Sequence, residues 1–143
     1  MTVAKMSVAE LDAFLLREFP QAFAAGDITI EHADGESALI RRRFNEAMLR
    51  PGGTVSGPTL MGLADVAMYV VLLSAIGPVG LAVTTNLNIN FLRKGQPGQD
   101  VVAAAKLLKL GKRLAVGEVV LLSGTSPDPI AHVTSTYSIP NAR

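Results

Sequence analysis

The sequence has no cysteine and no tryptophan, and only two of its 143 residues are histidines. Without cysteine, a disulfide framework and a thiolate metal site are both excluded. His32 and His132 lie far apart in the sequence and in unlike contexts, so we expect no metal site. The formal net charge is only +1, which gives no electrostatic reason to expect a nucleic acid or a membrane surface as a partner.

The first residues lack the continuous apolar core of a signal peptide, because Glu10 and Asp12 interrupt the apolar pattern. The same stretch is typical of an amphipathic helix that begins at Ser7, within an N-terminal helical segment over 1–24. In the absence of a targeting or lipidation signal, we expect a cytoplasmic location.

Hydrophobic residues make up 49% of the chain and charged residues 17%, which is typical of one compact domain over 1–143. The apolar segment 58–76 predicts one long helix that ends at Gly77-Pro78. Alternating apolar and polar residues predict the strands, of which those within 81–139 form the main sheet. The predicted strands are 27–31, 37–44, 81–93, 101–110, 114–123 and 130–139.

The segment 58–76 is apolar on all sides, and this leaves two interpretations. Its length is about right for a membrane span, but Asp65 near its centre and the half-buried strands around it argue against one. A helix that is apolar all round is buried on nearly all sides, and antiparallel strands achieve this only by curling around it. The sequence therefore predicts an α+β fold, with a curved antiparallel sheet of about five strands wrapped around one long central helix.

Asp65 is the only charged residue between Pro51 and Leu92. It lies two helical turns beyond Pro58, which is favoured at the first helical position, whereas capping and macrodipole effects fade within the first turn. Because burying a carboxylate without partners is costly, polar groups must reach it. Two interpretations stay open: a structural acid satisfied by hydrogen bonds across a subunit interface, or a catalytic carboxylate held in an apolar site.

The glycine before Pro58 complements this acid. At the helix N-terminus the amides of Gly57 and Thr59 are available to an anion, as in an oxyanion hole, although a glycine here also suits a tight turn. Asp65 lies eight residues beyond Gly57, or roughly 12 Å along the helix axis, so one small reacting group cannot contact both. Two antiparallel copies of the helix bring Asp65 of one subunit to Gly57 of the other, which predicts a site shared across a two-fold dimer.

Three runs of the sequence, SGPTLMGLAD, TTNLNINFLRKGQPGQDVVAAAKLLKLGKRLAVGEV and AHVTSTYSIP, resemble the hotdog-fold acyl-CoA thioesterases of the phenylacetate-pathway (PaaI-like) type. The resemblance covers about 52–140, and the family's glycine and its acid eight residues later fall on Gly57 and Asp65. It implies that the glycine amide polarises the thioester carbonyl, and that the acid of the neighbouring subunit activates water or attacks directly. It further implies coenzyme A as part of the substrate, no metal or redox cofactor, and dimers that often pair into tetramers.

Three positions depart from the family pattern. The family's histidine is Ser56 here, its second glycine is Pro58, and an asparagine of the preceding loop is replaced near Arg50. The acid and the glycine survive, so hydrolysis stays chemically feasible, and Ser56 is the expected replacement hydrogen-bond donor. The lost residues leave an alternative open: a non-catalytic protein that binds acyl-CoA or a small apolar acid. A hotdog hydratase is a third interpretation, but it would need a histidine paired with the acid.

The remaining candidates have two interpretations each. Tyr69, one turn after Asp65, either orients the acid or water through its hydroxyl or is a core tyrosine. Four basic residues at strand ends and turns either bind coenzyme A phosphates or are solvated. These are Arg93, Lys94, Lys112 and Arg113. A polar row on one predicted strand is expected to face solvent or another subunit rather than substrate. It consists of Thr84, Asn86, Asn88 and Asn90.

Overall fold

The computed structural model describes residues 3–141. Its helices are α1 (Val8–Glu18), α2 (Pro20–Phe23) and α3 (Gly57–Ile76), with a 3₁₀ turn at Glu46–Met48. Its strands are β1 (Ile28–Ala33), β2 (Ser37–Arg42), β3 (Val83–Phe91), β4 (Val101–Leu110), β5 (Leu114–Ser123) and β6 (Pro129–Ser138). The strands form an antiparallel sheet in the order β1-β2-β4-β5-β6-β3. The predicted α+β fold is confirmed, with six strands in the described chain where the sequence indicated about five.

The capping residues of the central helix α3 determine where it begins and ends. Ser56 is the N-cap, and its Oγ accepts a hydrogen bond from the Thr59 N–H at 3.3 Å. The helix therefore begins at Gly57, one residue before the predicted start. It ends at Ile76 because Gly77 adopts a φ of 96°, a left-handed conformation that favours glycine.

The sheet curls around α3, which contacts all six strands. Within residues 3–141, α3 is the helix that is long and apolar enough to cross a membrane, with a mean hydropathy of 1.9. However, 61% of its apolar window is buried inside the protein, so the core accounts for its composition. The approach of helix and sheet is close at Gly117, where a Cβ would lie 2.5 Å from Met68 Sδ and 2.9 Å from the Lys106 carbonyl oxygen.

The edge strand β3 contains a bulge that changes which side chains face the helix. Thr84 pairs with Tyr137 and Asn86 pairs with Thr136, so that Thr85 is the extra residue. The bulge shifts the alternation by one position, and the Thr84 side chain turns inward to α3 while Asn86 is exposed. The prediction that Thr84 shares a face with the asparagines is therefore wrong, because an unbroken alternation over 81–93 does not allow for a bulge.

The N-terminal segment packs over one end of this core. Ser7 caps α1 as the sequence predicts, in a reciprocal capping box with Glu10. Leu11 and Leu15 of α1 are fully buried. Phe19 lies between α1 and α2, with its ring centroid 6.2 Å from that of Tyr69 on α3. This contact brings the N-terminal segment beside the middle of the central helix, where Asp65 lies.

Candidate active site

Asp65 is half-buried on α3 and accepts two hydrogen bonds on the same carboxylate oxygen. Thr84 Oγ1 donates to Asp65 Oδ1 at 2.5 Å, and the Tyr137 hydroxyl donates to it at 2.9 Å. Thr84 and Tyr137 are a cross-strand pair on β3 and β6, so the bulge at Thr85 places both donors against the helix. Among residues 3–141, no hydrogen bond goes to Asp65 Oδ2. The carboxylate is thus anchored within its own chain through Oδ1.

Tyr137 is a contact that the sequence reasoning missed. The signal was present in β6, where Val133, Ser135 and Tyr137 alternate and are all buried. That alternation points the tyrosine hydroxyl toward the helix. Burial raises the pKa of Tyr137 well above its usual range; the Thr84 hydroxyl opposes this shift, and the nearby Asp65 charge adds to it. Tyr137 therefore stays neutral at physiological pH and remains a hydrogen-bond donor.

Tyr69 does not contact Asp65 through its hydroxyl. That hydroxyl donates to the Gly80 carbonyl at 2.7 Å, which favours the core interpretation over an orienting one. The Tyr69 ring stacks on that of Tyr137, with centroids 6.0 Å apart and an interplanar angle of 21°. Burial raises the pKa of Tyr69, and the Glu18 carboxylate adds to the shift.

Two cavities border Asp65. The smaller, of ≈ 380 Å³, has the rings of Phe19, Tyr69 and Tyr137 in its wall. The larger, of ≈ 470 Å³, lies on the side of Gly62, and Phe19 and Asp65 belong to its lining as well. The carboxylate thus adjoins enough space for a small acyl group, and three aromatic rings surround part of that space.

Gly57 is the first residue of α3 and lies eight residues before Asp65. Its N–H is in the first turn, and no group within residues 3–141 accepts a hydrogen bond from it. A Cβ at Gly57 would lie 3.1 Å from Phe91 Cζ, so a larger residue here would have to displace this exposed ring by a few tenths of an ångström. Gly57 lines neither cavity at Asp65, which is consistent with the roughly 12 Å between them along the helix.

The other two predicted supporting residues are engaged with each other. Ser56 Oγ and Thr59 Oγ1 share a hydrogen bond of 2.8 Å, and Ser56 Oγ also caps the Thr59 N–H. Of the two amides expected near the helix tip, only that of Gly57 remains free in the described chain. Ser56 Oγ is the acceptor in the cap bond and either hydroxyl can be the donor in the Ser56–Thr59 pair, so the expectation that Ser56 donates in place of the family's histidine stays a prediction.

The four predicted basic residues fall into two pairs at opposite ends of the sheet. Arg93 and Lys94 line a cavity of ≈ 660 Å³ together with Ser123, at the end of β5. Lys112 and Arg113 are exposed in the turn that precedes β5. The ten residues of β5 separate the pairs by about 30 Å. One chain therefore does not bring all four to one phosphate group.

Comparisons with known proteins agree with this fold. The sequence profile of the Thioesterase superfamily matches residues 52–129, which is more than half of the chain. The chain therefore belongs to the Thioesterase superfamily, which places it among enzymes that hydrolyse thioesters. A search of curated protein sequences found no significant match.

Comparison with solved structures shows which thioesterases the chain is similar to. The chain is 42% identical to a protein described as a putative thioesterase from Silicibacter sp. TM1040, over 97% of this chain and 95% of that one, with a TM-score of 0.89. A substituted form of the phenylacetic acid degradation protein PaaI from Thermus thermophilus is 25% identical over 82% and 96% of the two chains, with a TM-score of 0.73. The E. coli PaaI protein shares the fold at 21% identity over 94% and 97%, with a TM-score of 0.78. The predicted membership among hotdog-fold, PaaI-like thioesterases is confirmed.

Proposed function

We propose that this protein hydrolyses acyl-CoA thioesters by carboxylate catalysis through Asp65, at a site shared between two subunits. The observation that carries the proposal is the state of the Asp65 carboxylate. Thr84 and Tyr137 hold one oxygen, whereas the other has no hydrogen-bond partner in the described chain and the residue borders two cavities. A fixed carboxylate beside open space is suited to act on a bound water molecule or carbonyl carbon.

The edge strand β3 supports the shared site. Near its start, Thr84 contacts Asp65, and at its end, Phe91 lies against Gly57. If two copies of β3 pair antiparallel about a two-fold axis, the start of one strand lies beside the end of the other. Asp65 of one subunit then approaches Gly57 of the partner subunit. β3 has a free edge, and the side chains of Val83 and Phe91 are more than half exposed.

In the proposed reaction, the free Gly57 amide of the partner subunit binds the thioester carbonyl oxygen and stabilises the negative charge that develops on it. Asp65 Oδ2 accepts a proton from water while the water oxygen attacks the carbonyl carbon. The C–S bond then breaks, and the coenzyme A thiolate takes up the proton. The products are a free acid and coenzyme A, and the carboxylate is regenerated without a metal or redox cofactor.

A direct attack by Asp65 Oδ2 is the second route to the same products. It would form an acyl anhydride with loss of the thiolate, and water would then hydrolyse the anhydride. Turnover in oxygen-18 water separates the routes, because only the anhydride route can carry the label into Asp65. Mass spectrometry of the Asp65 peptide after turnover gives the answer.

The proposed dimer also brings together the basic residues that can bind coenzyme A. The turn that contains Lys112 and Arg113 is at the sheet end where β3 starts, since Leu114 and Val83 both pair with Ser138. Antiparallel pairing of β3 moves this end beside Arg93 of the partner subunit. Basic residues from both subunits then face one region, where they can bind phosphate groups. The aromatic wall of the smaller cavity supports an aryl acyl group.

The proposed function is tested by thiol release from short, medium, long and aryl acyl-CoAs. Asp65→Asn keeps the shape of the side chain but removes the base, and we expect turnover to fall by about 10²–10⁴-fold. Asp12→Asn is the matched control, because Asp12 is exposed on α1 away from the cavities, and it should keep turnover. Both variants should keep the wild-type oligomeric state. Retained turnover in Asp65→Asn would refute the catalytic role.

A binding protein on the same scaffold is the competing function, and the serine at position 56, where the family pattern has a histidine, is the observation in its favour. It predicts no thiol release from any acyl-CoA by wild type or by Asp65→Asn. Calorimetry with the same ligands would then give equal affinity for both forms. We further propose a cytoplasmic protein that assembles as a dimer or a dimer of dimers, without a nucleic acid or membrane partner.

A further inference from the structure

We propose that Tyr137 is a positioning residue, which fixes the Asp65 carboxylate through Oδ1 so that Oδ2 is the oxygen that acts on water or substrate. This inference rests on the proposed hydrolysis, but it concerns the geometry of the carboxylate and has a test that does not require turnover. Tyr137 lies on β6, far from Asp65 in the sequence, in the run AHVTSTYSIP, to which the family resemblance assigned no role.

The hydroxyl of Tyr137 makes two contacts with the same residue. It lies 2.9 Å from Asp65 Oδ1 and 3.1 Å from the Asp65 backbone oxygen. One donor thus joins the side chain of Asp65 to its own backbone, which restricts rotation about the bonds between them. Thr84 Oγ1 meets the same Oδ1 from β3. Because Oδ1 accepts hydrogen bonds from two donors, rotation of the carboxylate would break these bonds. Oδ2 therefore stays in one orientation.

The position of the Tyr137 hydroxyl is itself fixed by packing. Only 3% of Tyr137 is exposed. Its ring stacks on Tyr69, whose ring meets Phe19 edge-on at an interplanar angle of 78°. A hydroxyl on a ring held in this way is pre-organised, and it orders the carboxylate without losing further conformational freedom. A support of this kind is what a catalytic group needs to stay within a fraction of an ångström of its working position.

The neighbouring Tyr69 provides a matched comparison within the same ring pair. Its hydroxyl donates to the Gly80 carbonyl and makes no contact with Asp65. Removing either hydroxyl therefore deletes one oxygen atom and one hydrogen-bond donor from the same aromatic stack. Only the removal at Tyr137 releases the carboxylate. A merely structural role for Tyr137 predicts that the two deletions have similar effects.

The test measures kcat and KM of Tyr137→Phe and Tyr69→Phe on the best acyl-CoA substrate. For Tyr137→Phe we expect kcat to fall by about 10- to 100-fold, the size expected for a lost hydrogen bond to a charged group, with KM changed by less than about twofold. Tyr69 also lines the smaller cavity, so for Tyr69→Phe we expect a smaller fall in kcat than for Tyr137→Phe and a change that falls mainly on KM. Equal losses of kcat in the two variants, or a rise in KM at constant kcat in Tyr137→Phe, would overturn the proposal.

Crystal structures of the two variants supply the readout that is independent of activity. In Tyr137→Phe the Asp65 carboxylate should rotate away from its wild-type position or occupy two rotamers, whereas in Tyr69→Phe it should stay. An unmoved Asp65 in Tyr137→Phe would refute the positioning role whatever the kinetics show. If wild type releases no thiol from any substrate, the proposed hydrolysis fails, and the crystal structures still decide whether Tyr137 holds Asp65.

Discussion

The two edges of the sheet are built differently. β1 has six residues, a bulge after Ile30 and charged or titratable side chains at Glu31 and His32. Glu31 pairs with Arg41 of β2 at 2.9 Å. β3 has nine residues, no charge, and exposed apolar side chains at Val83 and Phe91. Both edge strands contain a bulge, so the two edges differ in length and charge: a short, charged edge resists pairing with another chain, whereas a long uncharged edge accepts it.

The difference between the edges coincides with the location of the site. β3 contacts Asp65 near its start and Gly57 at its end, whereas no residue of β1 hydrogen-bonds to either group in the described chain. A single chain keeps these two groups roughly 12 Å apart along α3. In the proposed dimer, the β3 edge is the means by which two incomplete halves form a whole site, and the charge on the β1 edge disfavours pairing on the other side of the sheet.

Subunit complementation tests this contrast most sharply. Asp65→Asn lacks the base, and Gly57→Val crowds Phe91 and blocks the approach to the amide, so each homodimer should be nearly inactive. In a mixed dimer, Asp65 of one chain and Gly57 of the other form one intact site. Random exchange makes about half of the dimers mixed, so turnover should return to about 25% of wild type.

The complementation experiment needs a mixture that exchanges subunits, for example by co-expression with two different affinity tags. Turnover of the purified mixed dimer per protein should be about half that of wild type, because one of its two sites is intact. A mixed dimer as inactive as its parents would show that each site lies within one chain.

Proline at the centre of β3 should separate the subunits. The Leu92 N–H donates to Ile130 of β6, and alternation from there points the Leu87 N–H to the free edge. Leu87→Pro removes that donor at a place where an edge strand tolerates proline. We expect a folded monomer in analytical ultracentrifugation and a fall in turnover of about 100-fold, because the two halves of the site no longer meet.

The matched control is a proline in β1, the other edge strand of the sheet. The Asp34 N–H donates to Ser37 of β2, so the Ala33 N–H of β1 points outward by the same alternation. Ala33→Pro should leave the oligomeric mass and the turnover as in wild type. Dissociation of Ala33→Pro, or an intact active dimer of Leu87→Pro, would reverse the roles assigned to the two edges.

The smallest expected effect concerns the hairpin that ends β1. Backbone N–H groups of Ser37 and Glu36 donate to Asp34 Oδ1 at 2.7 and 2.9 Å, and they hold the pKa of Asp34 well below its ordinary value of 3.8. Since the folded-state pKa is lowered, the stabilisation is present above about pH 4 and is lost as the pH falls further. Because Asp34 is exposed, the contribution is below about 1 kcal/mol.

Asp34→Asn removes the charge and keeps an amide oxygen for the two backbone hydrogen bonds, and its amide NH₂ takes the place of the Oδ2 that accepts from Ser37 Oγ and contacts His32 Nε2. Urea unfolding should show wild type as the more stable form at pH 7 and a smaller difference at pH 2–3. The assembly should be the same in both proteins at pH 7. A stability difference that is independent of pH would show that the Asp34 charge does not stabilise this hairpin.

The main elements of the fold were accessible from the sequence because their signals are local. The apolar segment over 58–76 required a buried helix, and Pro58 and Gly77-Pro78 marked its ends to within one residue. The four strands after it were predicted to within about two residues because alternation and turn residues delimit them. Asp65 was identifiable because it is the single charged residue of the segment 51–92.

The details of the site were less accessible because they depend on register. A one-residue bulge at Thr85 turns Thr84 from the exposed row to the carboxylate, and no local pattern in β3 marks it. The same register decides that Tyr137, and not Tyr69, donates to Asp65. Spacing on the helix indicated only Tyr69 as a candidate partner, beside its interpretation as a core tyrosine, because it considers only residues one turn apart.

The sequence by itself determined the central helix, the antiparallel strands, the lone acid and the glycine at the helix tip, since each depends on residues that are near one another in the chain. Only the tertiary structure decided which hydroxyls hold Asp65, which amide at the helix tip stays free and which two strands form the sheet edges. These features follow from strand register and packing between distant segments. The physical reason is that hydrogen-bond partners are selected by distances in the folded protein, to which residues 65, 84 and 137 contribute from three separate elements.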